Sequence, residues 1–189
     1  MLNRFKHAFN ALLTKTVSVF ARLGLTPNSL TIIGFLLALV SAFLIFQKLY
    51  YLAAIIFLFS ALFDALDGAL ARLTNRVSRF GGVLDSVIDR YVDSILILSI
   101  WWNTHVPFLI ASLALVGSLL TSYTRARLEL EQIGSLASIG IVERPERILL
   151  LFIALLFISY ATYIFFILAI LSNITVIQRL NYGRKKLSK

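Results

Sequence analysis

The sequence predicts an all-α integral membrane protein in which six transmembrane helices follow an N-terminal amphipathic interfacial helix. Three observations carry this. The chain is 59% hydrophobic, its apolar runs recur at lengths that cross a bilayer, and its basic residues fall in alternate gaps between those runs. At 189 residues the expectation is one domain, 1–189. The absence of cysteine excludes disulfides and thiol chemistry. His7 and His105 lie far apart near predicted helix ends, so no histidine-centred site is expected.

Residues 1–26 carry Arg4, Lys6, Lys15 and Arg22 among Leu2, Phe5, Phe9, Leu12, Leu13, Val17, Phe20 and Leu23. That near-helical spacing predicts an amphipathic helix at the cytoplasmic interface. A signal peptide fits less well, since no uninterrupted apolar core or small-residue cleavage site follows the charges. Thr26-Pro27-Asn28 marks a turn and helix start. The first span, about 28–48, is roughly 32 Å long at 1.5 Å per residue, enough to cross. The second, 50–73, opens on Tyr50 and Tyr51 as interface anchors. A basic link, Thr74 to Phe80, leads to a third, 81–102, which closes on Trp101 and Trp102. A fourth begins after Pro107, runs to about 129 and ends in SYTRARLELE. Beyond a polar loop, Gln132 to Gly140, and ERPER at 143–147 come helices of about 146–160 and 161–181, with their break placed at Tyr160 to Tyr163. Residues 182–189 form a basic cytoplasmic tail.

With both termini inside, the outer links hold only Lys48, Arg90 lies within a helix, and every other basic residue falls on the cytoplasmic side. The net charge of +9 is then largely topological, with attraction to anionic lipid. Nucleic acid is not an expected partner, because the basic residues are distributed by membrane side and no binding motif accompanies them.

Against this background the stretch DALDGALARLTNRVSRFGGVLDSVID, Asp64 to Asp89, stands out. All the aspartates of the chain, Asp64, Asp67, Asp85, Asp89 and Asp93, lie here or one turn beyond. Read as two helices, Asp64 and Asp67 share a face with Gly68 and Ala71, while Gly81, Asp85, Asp89 and Asp93 form an i, i+4 column. Four carboxylates then meet across one helix pair. A carboxylate in hydrocarbon costs about 2.5 to 3.5 kcal/mol on insertion scales, and crowded carboxylates repel. Hard oxygen ligands suit Mg²⁺ or Mn²⁺, and two such ions about 4 Å apart would clamp a phosphate displacement. Gly68 and Gly81 permit close approach of a ligand, and Arg72 offers a phosphate fork. The chemistry indicated is phosphoryl transfer. A purely structural network, in which Arg72, Arg76, Arg79 and Arg90 neutralise the aspartates, is the competing reading, and a transporter with an intramembrane acidic site is another.

At these residues the chain resembles the CDP-alcohol phosphatidyltransferases, whose signature is D-x2-D-G-x2-A-R-x8-G-x3-D-x3-D. Asp64, Asp67, Gly68, Ala71, Arg72, Gly81, Asp85 and Asp89 fill its fixed positions. The resemblance implies an amphipathic helix, six spans and a homodimer with one site per protomer. It also implies metal ligation by Asp64, Asp67 and Asp85, with Asp89 at the same centre and acting as the base. Asp64, Asp67, Gly68, Ala71, Arg72 and Gly81 would bind the cytidine diphosphate of a CDP-lipid whose tails stay in the bilayer. The acceptor hydroxyl would attack the lipid-side phosphorus and CMP would leave.

The signature does not name the acceptor. SYTRAR (122–127), GIVERPER (140–147) and VIQRL (176–180) resemble the branch that transfers to inositol phosphate, the phosphatidylinositol phosphate and archaetidylinositol phosphate synthases. Within that resemblance Arg125, Arg147 and Arg179 hold the phosphate of inositol 1-phosphate. Arg125 stands where bacterial members carry lysine, and Leu128 where a small residue is usual. Three guanidinium groups would repel without an anion, which argues for a dianionic acceptor. The bland alternative pairs these arginines with Glu129, Glu131, Glu143 and Glu146. Serine, glycerol phosphate, or CDP-inositol in a di-inositol phosphate synthase are the alternative substrates within the family. Asp93 lies outside the signature, as an acceptor contact or a partner of Arg90.

Overall fold

The computed structural model describes residues 17–134, 136 and 139–188. Its elements are α1 (Pro27–Phe46), α2 (Tyr50–Leu73), α3 (Arg79–Trp102), α4 (Phe108–Glu129), α5 (Arg144–Leu156), a 3₁₀ turn (Ile158–Tyr160) and α6 (Ala161–Leu187). No strand occurs among the described residues. Most of the predicted amphipathic helix lies outside them. Its end, residues 17–22, is helical, with Val17 buried and Phe20 stacked on Phe63 at 5.9 Å.

Among the described residues four helices are long and apolar enough to cross a membrane: α1, α2, α4 and the segment Ile158–Leu187. The chain is therefore an integral membrane protein. The six predicted spans do not all meet that description, for two physical reasons. α3 has the length, at 24 residues, but Asp85, Asp89, Arg90 and Asp93 interrupt its apolar character. α5 has only 13 residues, about 20 Å at 1.5 Å per residue against a hydrocarbon core of about 30 Å.

The described chain divides into two compact units, one reaching to Ser41 and including Ile55–Val92, the other Ala42–Ala54 and Asp93 onward. In the first, Val17, Leu30, Leu66 and Leu70 form a buried cluster extended by Phe20, Leu25 and Phe63. α1 approaches α2 closely at Gly34, whose carbonyl accepts a 2.7 Å bond from the Ser60 hydroxyl.

In the second unit α4 lies against α6 through small residues. Ala114, Gly117, Ser118 and Thr121 of α4, and Ala169 and Ser172 of α6, are all buried. Without water to drive apolar association in a bilayer, close backbone approach and interhelical hydrogen bonds take over. Accordingly Asn173 Nδ2 donates to the Leu113 carbonyl (3.0 Å), and Thr121 Oγ1, bonded at 2.8 Å to the Gly117 carbonyl of its own helix, stands 3.1 Å from the Ser172 carbonyl. Leu128 is accommodated by Gly183: a Cβ there would stand 2.6 Å from a Leu128 methyl.

α5 starts at Glu143, whose N–H is capped by the Glu146 carboxylate at 2.9 Å, with Pro145 in the first turn. It begins two residues before the predicted 146 and stops at Leu156, and the break falls at Phe157 to Tyr160 rather than Tyr160 to Tyr163. α6 then runs through the basic tail as far as Leu187. Continuing the helix satisfies the backbone of 182–187, and its Arg184, Lys185 and Lys186 complement the negative end of the helix dipole.

Candidate active site

In the first unit Asp64 and Asp67 share a face of α2 and Asp85 comes from the second turn of α3. One carboxylate oxygen of each lies within 4.8 Å of the others. The structure thus gathers three of the four expected carboxylates; Asp89 follows one turn after Asp85, buried at 8% exposure. An all-oxygen set this tight matches what a hard divalent cation requires.

Asp67 is held by a residue the sequence analysis passed over. Thr31 Oγ1 lies 2.5 Å from Asp67 Oδ2 and 3.1 Å from the Pro27 carbonyl. A hydroxyl has one proton, and the shorter distance assigns it to the carboxylate. Both residues are buried. Supporting bonds of this kind fix the orientation of a metal-binding carboxylate.

Beside the cluster opens a cavity of about 330 Å³. Asp67, Gly68, Ala71 and Arg72 line it from α2, and Gly81 and Asp85 from α3, so five of the six residues predicted to bind the nucleotide face one space. Asp64 belongs to the carboxylate group but not to this lining. At Gly81 two other lining residues come close: a Cβ there would stand 2.9 Å from Ser78 Oγ and 3.1 Å from Asn28 Oδ1. Ser78 Oγ in turn accepts the Gly81 N–H at 2.9 Å, which starts α3. Asn28, Thr31, Arg76 and Ser78 line the same cavity and were not among the predicted residues. The signal for Asn28 and Thr31 was the Thr26-Pro27 helix start, which brings the unsatisfied N–H groups and positive dipole end of α1 to the cavity wall.

The second unit holds the three predicted acceptor arginines, and all are tied to, or carried by, the last turns of α4. Arg147 of α5 donates from Nε and Nη2 to Asp93 Oδ2 (2.9 and 2.8 Å) and from Nη2 to Ser122 Oγ (3.3 Å). Arg179 of α6 is 1% exposed, and donates to the carbonyls of Ile139 (2.8 Å) and Thr121 (2.5 Å) and to Glu143 Oε1 (2.6 Å). Arg125 donates from Nε to Glu129 Oε1 at 3.1 Å and from Nη1 to Glu143 Oε2 at 3.4 Å. Arg125 and Arg147 lie near enough to Arg179 for their charges to act on it.

Two expectations change here. Asp93 pairs with Arg147, on another helix, while Arg90 donates to the Ser86 carbonyl of its own helix. The inference of a dianionic acceptor from mutual repulsion of the arginines also weakens, because Asp93, Glu129 and Glu143 already supply opposite charge. Glu146 caps a helix instead of pairing with these arginines, and Glu131 pairs with Arg127.

Comparison with known proteins agrees with the sequence resemblance. The chain is 44% identical over 187 residues, 99% of its length and 98% of the relative's, to the archaetidylinositol phosphate synthase of Pyrococcus horikoshii. Its fold is similar to the crystal structure of Mycobacterium tuberculosis phosphatidylinositol phosphate synthase with CDP-DAG bound, with a TM-score of 0.79 and 30% identity over 92% of this chain and 94% of that one. The same enzyme in complex with manganese and citrate matches with a TM-score of 0.78 and 30% identity over 91% and 88% of the two chains. Residues 24–177 match the family model described as CDP-alcohol phosphatidyltransferase, and the chain belongs to that family.

Proposed function

We propose that this protein transfers a phosphatidyl or archaetidyl group from a CDP-lipid to inositol 1-phosphate, releasing CMP. One observation carries the reading: three signature carboxylates group within 4.8 Å beside a cavity lined by Gly68, Ala71, Arg72 and Gly81 of the same signature. The whole-length likeness to an archaetidylinositol phosphate synthase supports the acceptor. Asp64, Asp67 and Asp85, with Asp89 at the same centre, would hold Mg²⁺ or Mn²⁺. When bound, such an ion stabilises negative charge on the diphosphate and on departing CMP.

The chain's own residues do the rest. Gly68, Ala71, Arg72 and Gly81 receive the cytidine diphosphate, with Asn28 and Thr31 on the same wall. Asp89 takes the proton of the acceptor hydroxyl as its oxygen bonds to the lipid-side phosphorus and the bond from that phosphorus to CMP breaks. A loose transition state, in which the proton moves late, suits a base as weak as a carboxylate. Arg125, Arg147 and Arg179 hold the acceptor's phosphate.

The family match runs from one unit into the other, which supports a single functional domain over the chain. The distribution of basic residues supports termini and active site on the cytoplasmic side, with α3, and α5 together with the 3₁₀ turn that follows it, completing six spans behind an interfacial N-terminal helix. Family resemblance supports a homodimer. The test is CMP release by purified protein given CDP-lipid, Mg²⁺ or Mn²⁺ and a panel of labelled acceptors. Inositol 1-phosphate should be used and free inositol, serine and glycerol phosphate poorly; equal use of serine or free inositol removes the acceptor assignment and leaves the transferase.

A further inference from the structure

The two oxygens of the Glu143 carboxylate each meet a different arginine: Oε1 accepts from Arg179 Nη2 at 2.6 Å and Oε2 from Arg125 Nη1 at 3.4 Å. One anion, with its oxygens spread between two guanidinium groups from two helices, is the arrangement expected of a bound phosphate. Here the chain itself provides the anion. We propose that Glu143 occupies the position of the acceptor's phosphate and must be displaced by it, so that Glu143 sets the acceptor specificity of the site. The proposal rests on the assignment of Arg125 and Arg179 to the acceptor's phosphate.

The surroundings divide into parts that stay and a part that moves. Arg179 is fixed without Glu143, since Nε and Nη1 are bound to the Ile139 and Thr121 carbonyls and the residue is 1% exposed. Withdrawal of Glu143 would leave its Nη2 facing the vacated place, where a buried charged donor requires an acceptor. Arg125 is likewise anchored through Nε to Glu129, with Nη1 directed to the same place. Glu143 differs. Its side chain is 22% exposed; its carboxylate also accepts the Glu146 backbone N–H in the capping box, while its own N–H is held by the Glu146 carboxylate and its carbonyl by the Arg147 N–H at 3.2 Å. Outward rotation of the carboxylate gives up one capping bond, and the bonds at the Glu143 N–H and carbonyl still hold the start of α5.

Charge then decides what displaces it. A neutral acceptor offers the arginines nothing in exchange for a carboxylate, and a monoanion offers only an equal charge. A phosphomonoester, near −2 at neutral pH with a second pKa of about 6, offers more charge and a third oxygen. Selectivity for a phosphorylated acceptor over its free alcohol follows from the competition with Glu143.

The experiment compares wild type, Glu143→Gln and Glu143→Asp. Gln keeps the shape and removes the charge; Asp keeps the charge on a stem too short to reach both arginines, and serves if Gln does not fold. With Glu143 no longer competing, the KM for inositol 1-phosphate should fall about fivefold, the weight of roughly one hydrogen bond. Inorganic phosphate should raise the Tm of each variant more than that of wild type, and acetate should inhibit Glu143→Gln more strongly than wild type. A rise in KM together with weaker stabilisation by phosphate would show that Glu143 only braces the arginines, and unchanged values would place it off the binding path; either overturns the proposal. If wild type uses no phosphorylated acceptor, the acceptor assignment fails on that arm alone, and the phosphate-dependent Tm shifts still decide the role of Glu143.

Discussion

The two units handle charge in opposite ways. The first draws like charges together, placing oxygens of Asp64, Asp67 and Asp85 within 4.8 Å. The second pairs opposite charges, Arg147 with Asp93 and Arg125 and Arg179 with Glu143. Clustered carboxylates in a membrane protein form a geometry that a divalent ion satisfies. Matched pairs are complete in themselves, and on the proposed function a ligand would reach the arginines by competing with a carboxylate already there. The proposed donor site would then attract its charge, and the proposed acceptor site exchange it.

The most severe way to break this contrast is to weaken the cluster. Asp85→Asn should lower Mn²⁺ affinity and reduce CMP release by about a thousandfold or more, since an amide is a poor ligand and the charge that holds the ion falls. Helical content by circular dichroism should stay unchanged. Chelation should abolish activity in wild type, and Ca²⁺ should restore it poorly, because its larger and looser shell misplaces the phosphates. Retention of turnover in Asp85→Asn would separate the cluster from catalysis.

Asp89 offers a cleaner cut. Asp89→Asn should keep CDP-lipid binding, weaken Mn²⁺ binding less than Asp85→Asn does, and at saturating metal still lose roughly 10²- to 10⁴-fold in turnover, the usual contribution of a general base. Binding of CDP-lipid by calorimetry beside single-turnover CMP release would separate the two effects. Near-normal turnover removes Asp89 as the base.

How much of this was legible differs between the units for the same reason that their chemistry differs. The first site is local in sequence. Its carboxylates and glycines lie at helical spacings within Asp64 to Asp89, so period alone aligns Asp64 with Asp67 and Gly81 with Asp85. Helix positions were legible too, because apolar runs of bilayer length leave few choices; α2 and the end of α4 fall where predicted. What period could not give was the third dimension. Thr31 is 36 residues from Asp67 and Asp93 54 from Arg147, and nothing in spacing pairs them. The arginines were found by resemblance, but their carboxylate partners depend on how α4, α5 and α6 pack. The break near Phe157 was misplaced because an apolar sequence on both sides carries no turn signal.

The acceptor side is sharpened by a paired substitution. Removing Arg147 alone leaves Asp93 charged and buried, a loss of about 3 to 5 kcal/mol in stability that would hide any kinetic effect. Asp93→Asn combined with Arg147→Gln removes both charges and retains a polar contact. This double variant should keep a Tm closer to wild type than Arg147→Gln does. It should also raise the KM for inositol 1-phosphate about ten- to a hundredfold, from loss of charge-assisted bonds worth about 1.5 to 3 kcal/mol, with little change in the KM for CDP-lipid. Unchanged acceptor kinetics would reduce Arg147 and Asp93 to a structural pair.

The smallest expected effect concerns Thr31. Its hydroxyl gives its one proton to Asp67 at 2.5 Å in a buried setting, so the bond orients a carboxylate of the cluster without itself belonging to it. Thr31→Val keeps the β-branched shape on α1 and removes the donor. The carboxylate then loses one bond but keeps its place in the cluster, and a supporting partner of this kind is worth about tenfold in metal affinity at the lower end of its usual range. The concentration of Mn²⁺ giving half-maximal CMP release should rise by about that factor, and saturating metal should restore most of the turnover. A purely structural Thr31 would instead lower Tm without changing the metal requirement. Titrating Mn²⁺ against activity in Thr31→Val, alongside Thr31→Ser, which retains the hydroxyl and should restore the wild-type requirement, separates orientation of Asp67 from packing of α1.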